Sequence, residues 1–137
     1  MKTARIVSLV TVTSAAAALA VAAALPAYAA FAPRKPCGKI TGPTWTFTRG
    51  TETGTKYGVV AIGTFQCAAA KQWVAKLAAD HVKNKTESIV ANNVLTNGPK
   101  GYTCAALSSK EGRAFAGQCA KGPKMYPTSG FSWSGTP

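Results

Sequence analysis

The stretch Cys67–Lys83, CAAAKQWVAKLAADHVK, decides the fold class. Its apolar residues recur every three or four positions, as on one face of an amphipathic helix, and its charged residues fall away from that face. We therefore predict a helix over residues 66–83. Trp73 and Leu77 stand four positions apart on the apolar face, so we expect them to anchor the helix to the core.

Short β-prone runs flank this helix. Before it, residues 44–48 alternate threonine with aromatic residues and residues 57–62 form a second run, so the two predict a hairpin. After it, residues 102–108 and 114–120 predict two strands around a polar turn, and Phe131–Trp133 predicts a short last strand at a sheet edge. One amphipathic helix on a small antiparallel sheet is an α+β fold.

The structure of two segments between the helix and the later strands is predicted from their composition. The apolar positions within Thr86–Leu95 favour a short second helix, although Asn92 and Asn93 oppose it. Asn97–Gly101 has the composition of a loop.

The first 29 residues have the order of a secretory signal peptide. Lys2 and Arg5 precede an uncharged, Ala-rich run, and the small-x-small triplet Ala27–Ala29 follows Pro26. The uncharged run is about long enough to span a bilayer, so a retained membrane anchor is the alternative. A helix-breaking proline ahead of a cleavage triplet nevertheless favours removal after Ala29. We expect a secreted product with an extended N-terminal arm at 30–43 and a single α+β domain at 44–137.

The four cysteines all fall in the exported part and are even in number. They form no Cys-x-x-Cys pair, and their separations are too wide and irregular for a zinc site. In an oxidising compartment two disulfides are expected, and four cysteines allow three pairings. Cys104 and Cys119 stand at similar distances on either side of a predicted turn, so we favour Cys104–Cys119 together with Cys37–Cys67.

The exported chain is strongly basic. Removal of Lys2 and Arg5 leaves 14 basic residues against four acidic ones, a net charge of +10. Such a field attracts polyanions, whether nucleic acid, acidic cell-wall polymers or an anionic membrane surface. The alternative is that the charge only aids solubility. The sequence has no dedicated nucleic-acid motif, and we expect a monomer without a cofactor.

Cations and aromatic side chains are mixed late in the chain, where they favour a binding site. Aromatic rings beside cations can stack on bases or sugars and hold anionic polymers. The residues concerned are Lys100, Lys121, Lys124 and Tyr126. The other late aromatic residues are expected to pack instead against the helix and the sheet; they are Tyr102, Phe131 and Trp133.

No pattern specifies a reaction. His81 is the only histidine, and on a helical wheel it lies with Val74 and Leu77, which favours a packed side chain over a catalytic one. Nucleophile elbow, phosphate loop and paired catalytic carboxylates are all lacking. We expect a non-enzymatic binding or envelope-associated protein. The alternatives are a protein-directed inhibitor or toxin that presents Asn97–Gly101, and then a small hydrolase that uses His81.

Short motifs over residues 57–133 resemble a group of small exported proteins from high-GC Gram-positive bacteria. They are Cys67–Ala70 at a helix start, Gly101–Cys104, Cys119 and Phe131–Trp133. The resemblance implies a shared disulfide-containing scaffold of bacterial origin. It implies no activity.

Overall fold

A computed structural model describes residues 31–82, 93–123 and 126–137. The predicted signal peptide at 1–29, Lys124 and most of the predicted second helix lie outside these residues. The end of that predicted helix, Val94–Leu95, is a short strand.

The described residues form six strands and one helix, arranged as a helix layer packed on a sheet layer. The strands make one sheet in the spatial order β1-β2-β6-β5-β4-β3, antiparallel throughout, and the helix packs on one face of it. The predicted fold class is confirmed. In chain order the elements are β1 (Arg34–Thr46), β2 (Thr53–Gly63), α1 (Cys67–Leu77), β3 (Val94–Leu95), β4 (Thr103–Ser108), β5 (Ala114–Lys121) and β6 (Ser129–Thr136).

The amphipathic helix is present but ends earlier than predicted, at Leu77 rather than at residue 83. Val74 and Leu77 are fully buried, and Trp73 is partly buried against the same core. Past Leu77 the backbone amide of Asp80 bonds back to the Leu77 carbonyl, and the amide of Val82 bonds to the Gly112 carbonyl. A tight turn and a bond to the β4–β5 turn thus replace the next helical turn, which periodicity alone does not anticipate.

Two strands differ in extent or place from their prediction. The arm predicted at 30–43 is extended, and from Arg34 onward it pairs with β2 as the first part of β1. The last strand, predicted to cover a sheet edge, is instead central, because β6 pairs with both β2 and β5. Its alternate residues Phe131 and Trp133 are buried, so a central position gives both rings a covered surface.

The sheet is strongly curled. The Trp45 ring on β1 lies 5.6 Å from the Phe115 ring on β5, although β2 and β6 separate those strands. Gly135 on β6 makes this approach possible, because a Cβ there would lie 2.6 Å from Trp45 Cε2 and 2.9 Å from Phe115 Cδ2. The curl therefore brings rings from distant strands together, and these rings cover the core on the side of the sheet that faces the helix.

The four cysteines form two disulfides, Cys37–Cys67 and Cys104–Cys119, which is the pairing favoured from the sequence. The first joins β1 to the start of α1. The second joins residues that lie directly opposite each other on β4 and β5, with Cα atoms 4.0 Å apart.

Candidate polyanion-binding site

One end of the sheet is marked by a continuous row of paired residues. Arg34, Ile62, Gly130, Ala120 and Thr103 lie opposite one another in turn across β1, β2, β6, β5 and β4. Exposed cations and two aromatic side chains lie at or just beyond this row. We call this group the basic end; its residues are Phe31, Arg34, Lys35, Lys100, Lys121 and Tyr126.

The cations of the basic end come from separate strands. Arg34 and Lys35 open β1, Lys121 closes β5, and Lys100 precedes β4 by three residues. Neighbouring strands lie about 4.8 Å apart, so the backbones of β1 and β5, three strand steps apart, are about 14 Å apart along the sheet. All four side chains are exposed.

Tyr126 is held in place by the loop between β5 and β6. Its backbone amide donates to the Pro123 carbonyl at 3.0 Å, and the amide of Thr128 donates to the Lys121 carbonyl at 2.9 Å. The Tyr126 ring, 43% exposed, contacts the Phe31 ring with centroids 5.2 Å apart. The loop therefore holds Tyr126 in the turn that follows Lys121.

The helix begins near the same end of the sheet, because α1 follows β2 after three residues. Its N-cap residue Gln66 makes no side-chain cap hydrogen bond, and its first turn contains no acidic residue. The positive end of the helix dipole is therefore not neutralised there and adds to the field of the cations.

The opposite end of the sheet carries the turns 47–52 and 109–113, and we call it the hairpin end. Here Lys110 joins the two turns, since its amide donates to the Thr46 carbonyl at 3.0 Å and its Nζ to the Gly50 carbonyl at 2.7 Å. Glu111 accepts from the amide of Thr46 at 2.9 Å and from its hydroxyl. The charged groups of Lys110 and Glu111 are thus engaged in structural bonds at this end.

The hydrogen bonds to Glu111 change its acidity. Burial by itself raises the pKa of this carboxyl group, but bonds from the side chains of Thr46 and Ser109 and from backbone amides outweigh it. They lower the pKa from the ordinary value of 4.5 to about 2. Glu111 therefore remains a carboxylate under any physiological condition.

The described carboxylates lie away from the basic end. Glu52 and Glu111 belong to the two turns of the hairpin end. Asp80 follows α1, and its carboxylate accepts a 3.4 Å hydrogen bond from Asn97 Nδ2. Asn97 is three residues from Lys100. Among the cations of the basic end, Lys100 is therefore the one that lies near a described carboxylate, that of Asp80. Arg34, Lys35 and Lys121 have no carboxylate among the described residues of their own strands.

His81 is exposed rather than packed, so the prediction of a buried histidine is wrong. The reason is the early end of α1, after which His81 leaves the helix and pairs with Arg113 in an isolated β-bridge. It lines an open hollow of about 430 Å³ with Asp80 and Asn97. Within the described ranges no set of three or more His, Cys, Asp or Glu side chains is placed to hold a metal ion.

The predicted loop Asn97–Gly101 is pinned to a disulfide. A Cβ at Gly98 would overlap the sulfur of Cys104, so only glycine allows the backbone to pass this close. The amide of Tyr102 also donates to the Pro99 carbonyl at 3.1 Å. The loop is therefore a closely supported turn.

The predicted binding residues lie in different parts of the fold. Lys121 ends β5 and Tyr126 lies in the loop that follows it, Lys100 precedes β4 by three residues, and Lys124 is outside the described residues. Sequence reasoning omitted Phe31, Arg34 and Lys35. The one indication available was composition, since Phe31 is a large apolar residue among the prolines and cations of the predicted arm.

The other late aromatic residues belong to the core. Phe131 is fully buried, and buried Trp133 donates from Nε1 to the Ala114 carbonyl at 3.0 Å. The Tyr102 hydroxyl shares a hydrogen bond with Ser129 Oγ, and its ring packs edge-on against Phe65. Their predicted packing roles are confirmed.

No protein-family model, curated protein or solved structure matches the chain. Among the described residues, no helix has the length and apolar character needed to span a bilayer.

Proposed function

We propose that this protein is an exported, non-enzymatic module that associates with the cell envelope by binding anionic polymers through its basic end. The uneven distribution of carboxylates along the sheet carries the proposal. Exposed cations from β1 and β5 lie at one end with no described carboxylate on their strands, whereas the turns of the other end combine Glu52 and Glu111 with Arg49, Lys110 and Arg113. The excess of positive charge at the basic end orients the molecule in the field of a polyanion.

Electrostatic binding of this kind has a clear signature in salt. Each neutralised anionic group releases a counterion, so affinity falls linearly with salt on logarithmic scales. Lys121→Ala should weaken binding of the exported protein to heparin and reduce the salt slope by about 1. Tyr126→Ala should weaken binding with no change of slope, because ring stacking is not an ionic contact.

Lys76→Ala is the matched control. Lys76 is an exposed cation near the C-terminal end of α1, and its ammonium lies 5.0 Å from the Trp73 ring centroid. Its removal takes away one positive charge far from the basic end. Equal losses in Lys121→Ala and Lys76→Ala would show that the attraction is generic and that the basic end is not a site.

A protein-directed inhibitor or toxin is the second candidate, and the support of Gly98 against Cys104 favours it. Inhibitory loops bind well when they are rigid before binding, because less conformational entropy is then lost. A stoichiometric protein partner in a pull-down at high salt, lost in a variant of the exposed Lys100 at the loop tip, would move this candidate ahead of polymer binding.

A further inference from the structure

Two of the exposed large apolar side chains touch each other at the basic end. In the described part of the chain these side chains are Phe31, Val94 and Tyr126, exposed by 75%, 47% and 43%. The rings of Phe31 and Tyr126 are in contact at 5.2 Å. Phe31 has no polar group to satisfy in water, so the fold maintains an apolar patch among its cations.

We propose that the basic end docks on an anionic phospholipid bilayer, with Phe31 and Tyr126 in the headgroup region and the surrounding cations against lipid phosphates. The inference rests on the proposed function, because it assigns to the same basic end a second anionic partner in the envelope, the membrane surface. A basic surface that surrounds exposed aromatic residues is the chemistry of interfacial membrane binding.

The ring geometry favours a bilayer over a stacked polymer. The rings of Phe31 and Tyr126 touch each other and their planes are inclined by 47°, so a base or a sugar cannot enter between them and could stack only on one outer ring face. Tyrosine is suited to the membrane interface, since its ring enters the apolar side while its hydroxyl stays hydrated. The Phe31 ring adds apolar area beside it.

The charge distribution sets the orientation of docking. Arg34, Lys35 and Lys121 lie at the basic end with no described carboxylate on their strands, whereas Glu52 and Glu111 lie at the hairpin end, where cations accompany them. Each cation near an anionic leaflet strengthens binding by about fivefold. The cations thereby bring Phe31 to the bilayer.

The test is a vesicle-binding titration with the exported protein. Phosphatidylcholine–phosphatidylglycerol vesicles should bind it, and pure phosphatidylcholine vesicles should bind it far more weakly. Phe31→Ala should lower the partition coefficient on the mixed vesicles about tenfold, because the ring no longer leaves water. Val94→Ala is the matched control, since it removes an exposed apolar side chain from β3, and it should leave the partition coefficient unchanged.

Heparin is the second arm of the experiment. Phe31→Ala should leave affinity for heparin unchanged, and an equal loss on heparin and on vesicles would overturn the bilayer inference. If the unaltered protein binds heparin but no anionic vesicle, the inference fails while the proposed function stands. If it binds neither, both fail. The melting temperature of Phe31→Ala should match that of the unaltered protein, because the side chain is mostly in water.

Discussion

The two ends of the sheet differ in their covalent cross-links. All four half-cystines lie toward the basic end: Cys37 follows Arg34 by three residues, Cys67 opens α1, and the Cys104–Cys119 pair is next to the row that marks this end. The hairpin end has no disulfide among the described residues. It is held instead by packed aromatic rings and by bonds between its two turns.

The rings of the hairpin end form one cluster. Phe115 lies 5.6 Å from Trp45 and 5.9 Å from Phe47, and Trp45 Nε1 donates to the Lys56 carbonyl at 3.0 Å. The basic end has packed rings as well, since the Phe65 ring lies 4.9 Å from Phe131 and 5.4 Å from Tyr102. The disulfides are therefore cross-links added to packing at the basic end, whereas the hairpin end relies on packing and hydrogen bonds.

The largest expected effect is loss of the aromatic cluster at the hairpin end. Trp45 is 1% exposed, so Trp45→Ala should lower the free energy of unfolding by about 3–5 kcal/mol through lost burial and a residual cavity. Urea denaturation measures the change. Tyr126→Ala at the basic end is the comparison and should change stability by less than about 0.5 kcal/mol. Similar losses in both variants would contradict the proposed difference between the ends.

Removal of one disulfide should weaken the basic end selectively. Replacement of both Cys104 and Cys119 by serine opens a loop of 15 residues and should lower the free energy of unfolding by about 3 kcal/mol. Hydrogen exchange shows which part of the sheet is destabilised. Amides of β4 and β5 near the basic end should lose protection before those of the 47–52 turn. Uniform loss along the sheet would show that the disulfides support both ends alike.

The sequence predicted the parts of this comparison that depend on local patterns. Helix periodicity, strand alternation and the even cysteine count led to the α+β fold, and the position of Cys104 and Cys119 around a turn favoured their bridge. The curl of the sheet depends on long-range contacts, such as that of Trp45 with Phe115. No local sequence pattern reports such long-range contacts, so the difference between the two ends could not be predicted from the sequence.

Sequence composition identifies only some residues of the basic end, because it detects residues that are close together in the chain. Lys121 and Tyr126 are close in sequence, so composition found them. Phe31 is 95 positions from Tyr126, and only the pairing of β1 with β2 and of β2 with β6 brings the two rings together.

Acid should loosen the hairpin end through Glu111. Its pKa in the fold, about 2, lies below its ordinary value of 4.5, so the unfolded chain binds more protons between these values. Stability is therefore fully present above about pH 5 and is lost as the pH falls toward 2. For an exposed carboxylate screened by solvent the loss should be about 1 kcal/mol.

Glu111→Gln provides the control for this titration. The amide keeps one acceptor oxygen for Thr46 but cannot gain the proton, so the pH dependence of unfolding between pH 5 and 2 should become flatter than in the unaltered protein. Glu52→Gln changes a carboxylate in the neighbouring turn and should leave the slope as it was. An unchanged slope in Glu111→Gln would rule out this carboxylate as the acid-sensitive bond of the hairpin end.

The smallest expected effect is that of His81→Ala. The side chain is exposed, and the nearby bonds that hold the segment use backbone groups: the amide of Val82 donates to Gly112 and the amide of Ala114 to Asp80. Because these bonds do not need the imidazole, the free energy of unfolding should change by less than about 0.5 kcal/mol. Heparin affinity should be equally unaffected. Val82→Ala is the neighbouring comparison: its side chain is 6% exposed, and its loss should cost about 2 kcal/mol. A hydrolytic activity of the exported protein that disappears in His81→Ala at unchanged stability would replace polymer binding with the hydrolase alternative, and the hollow beside Asp80 would then be its site.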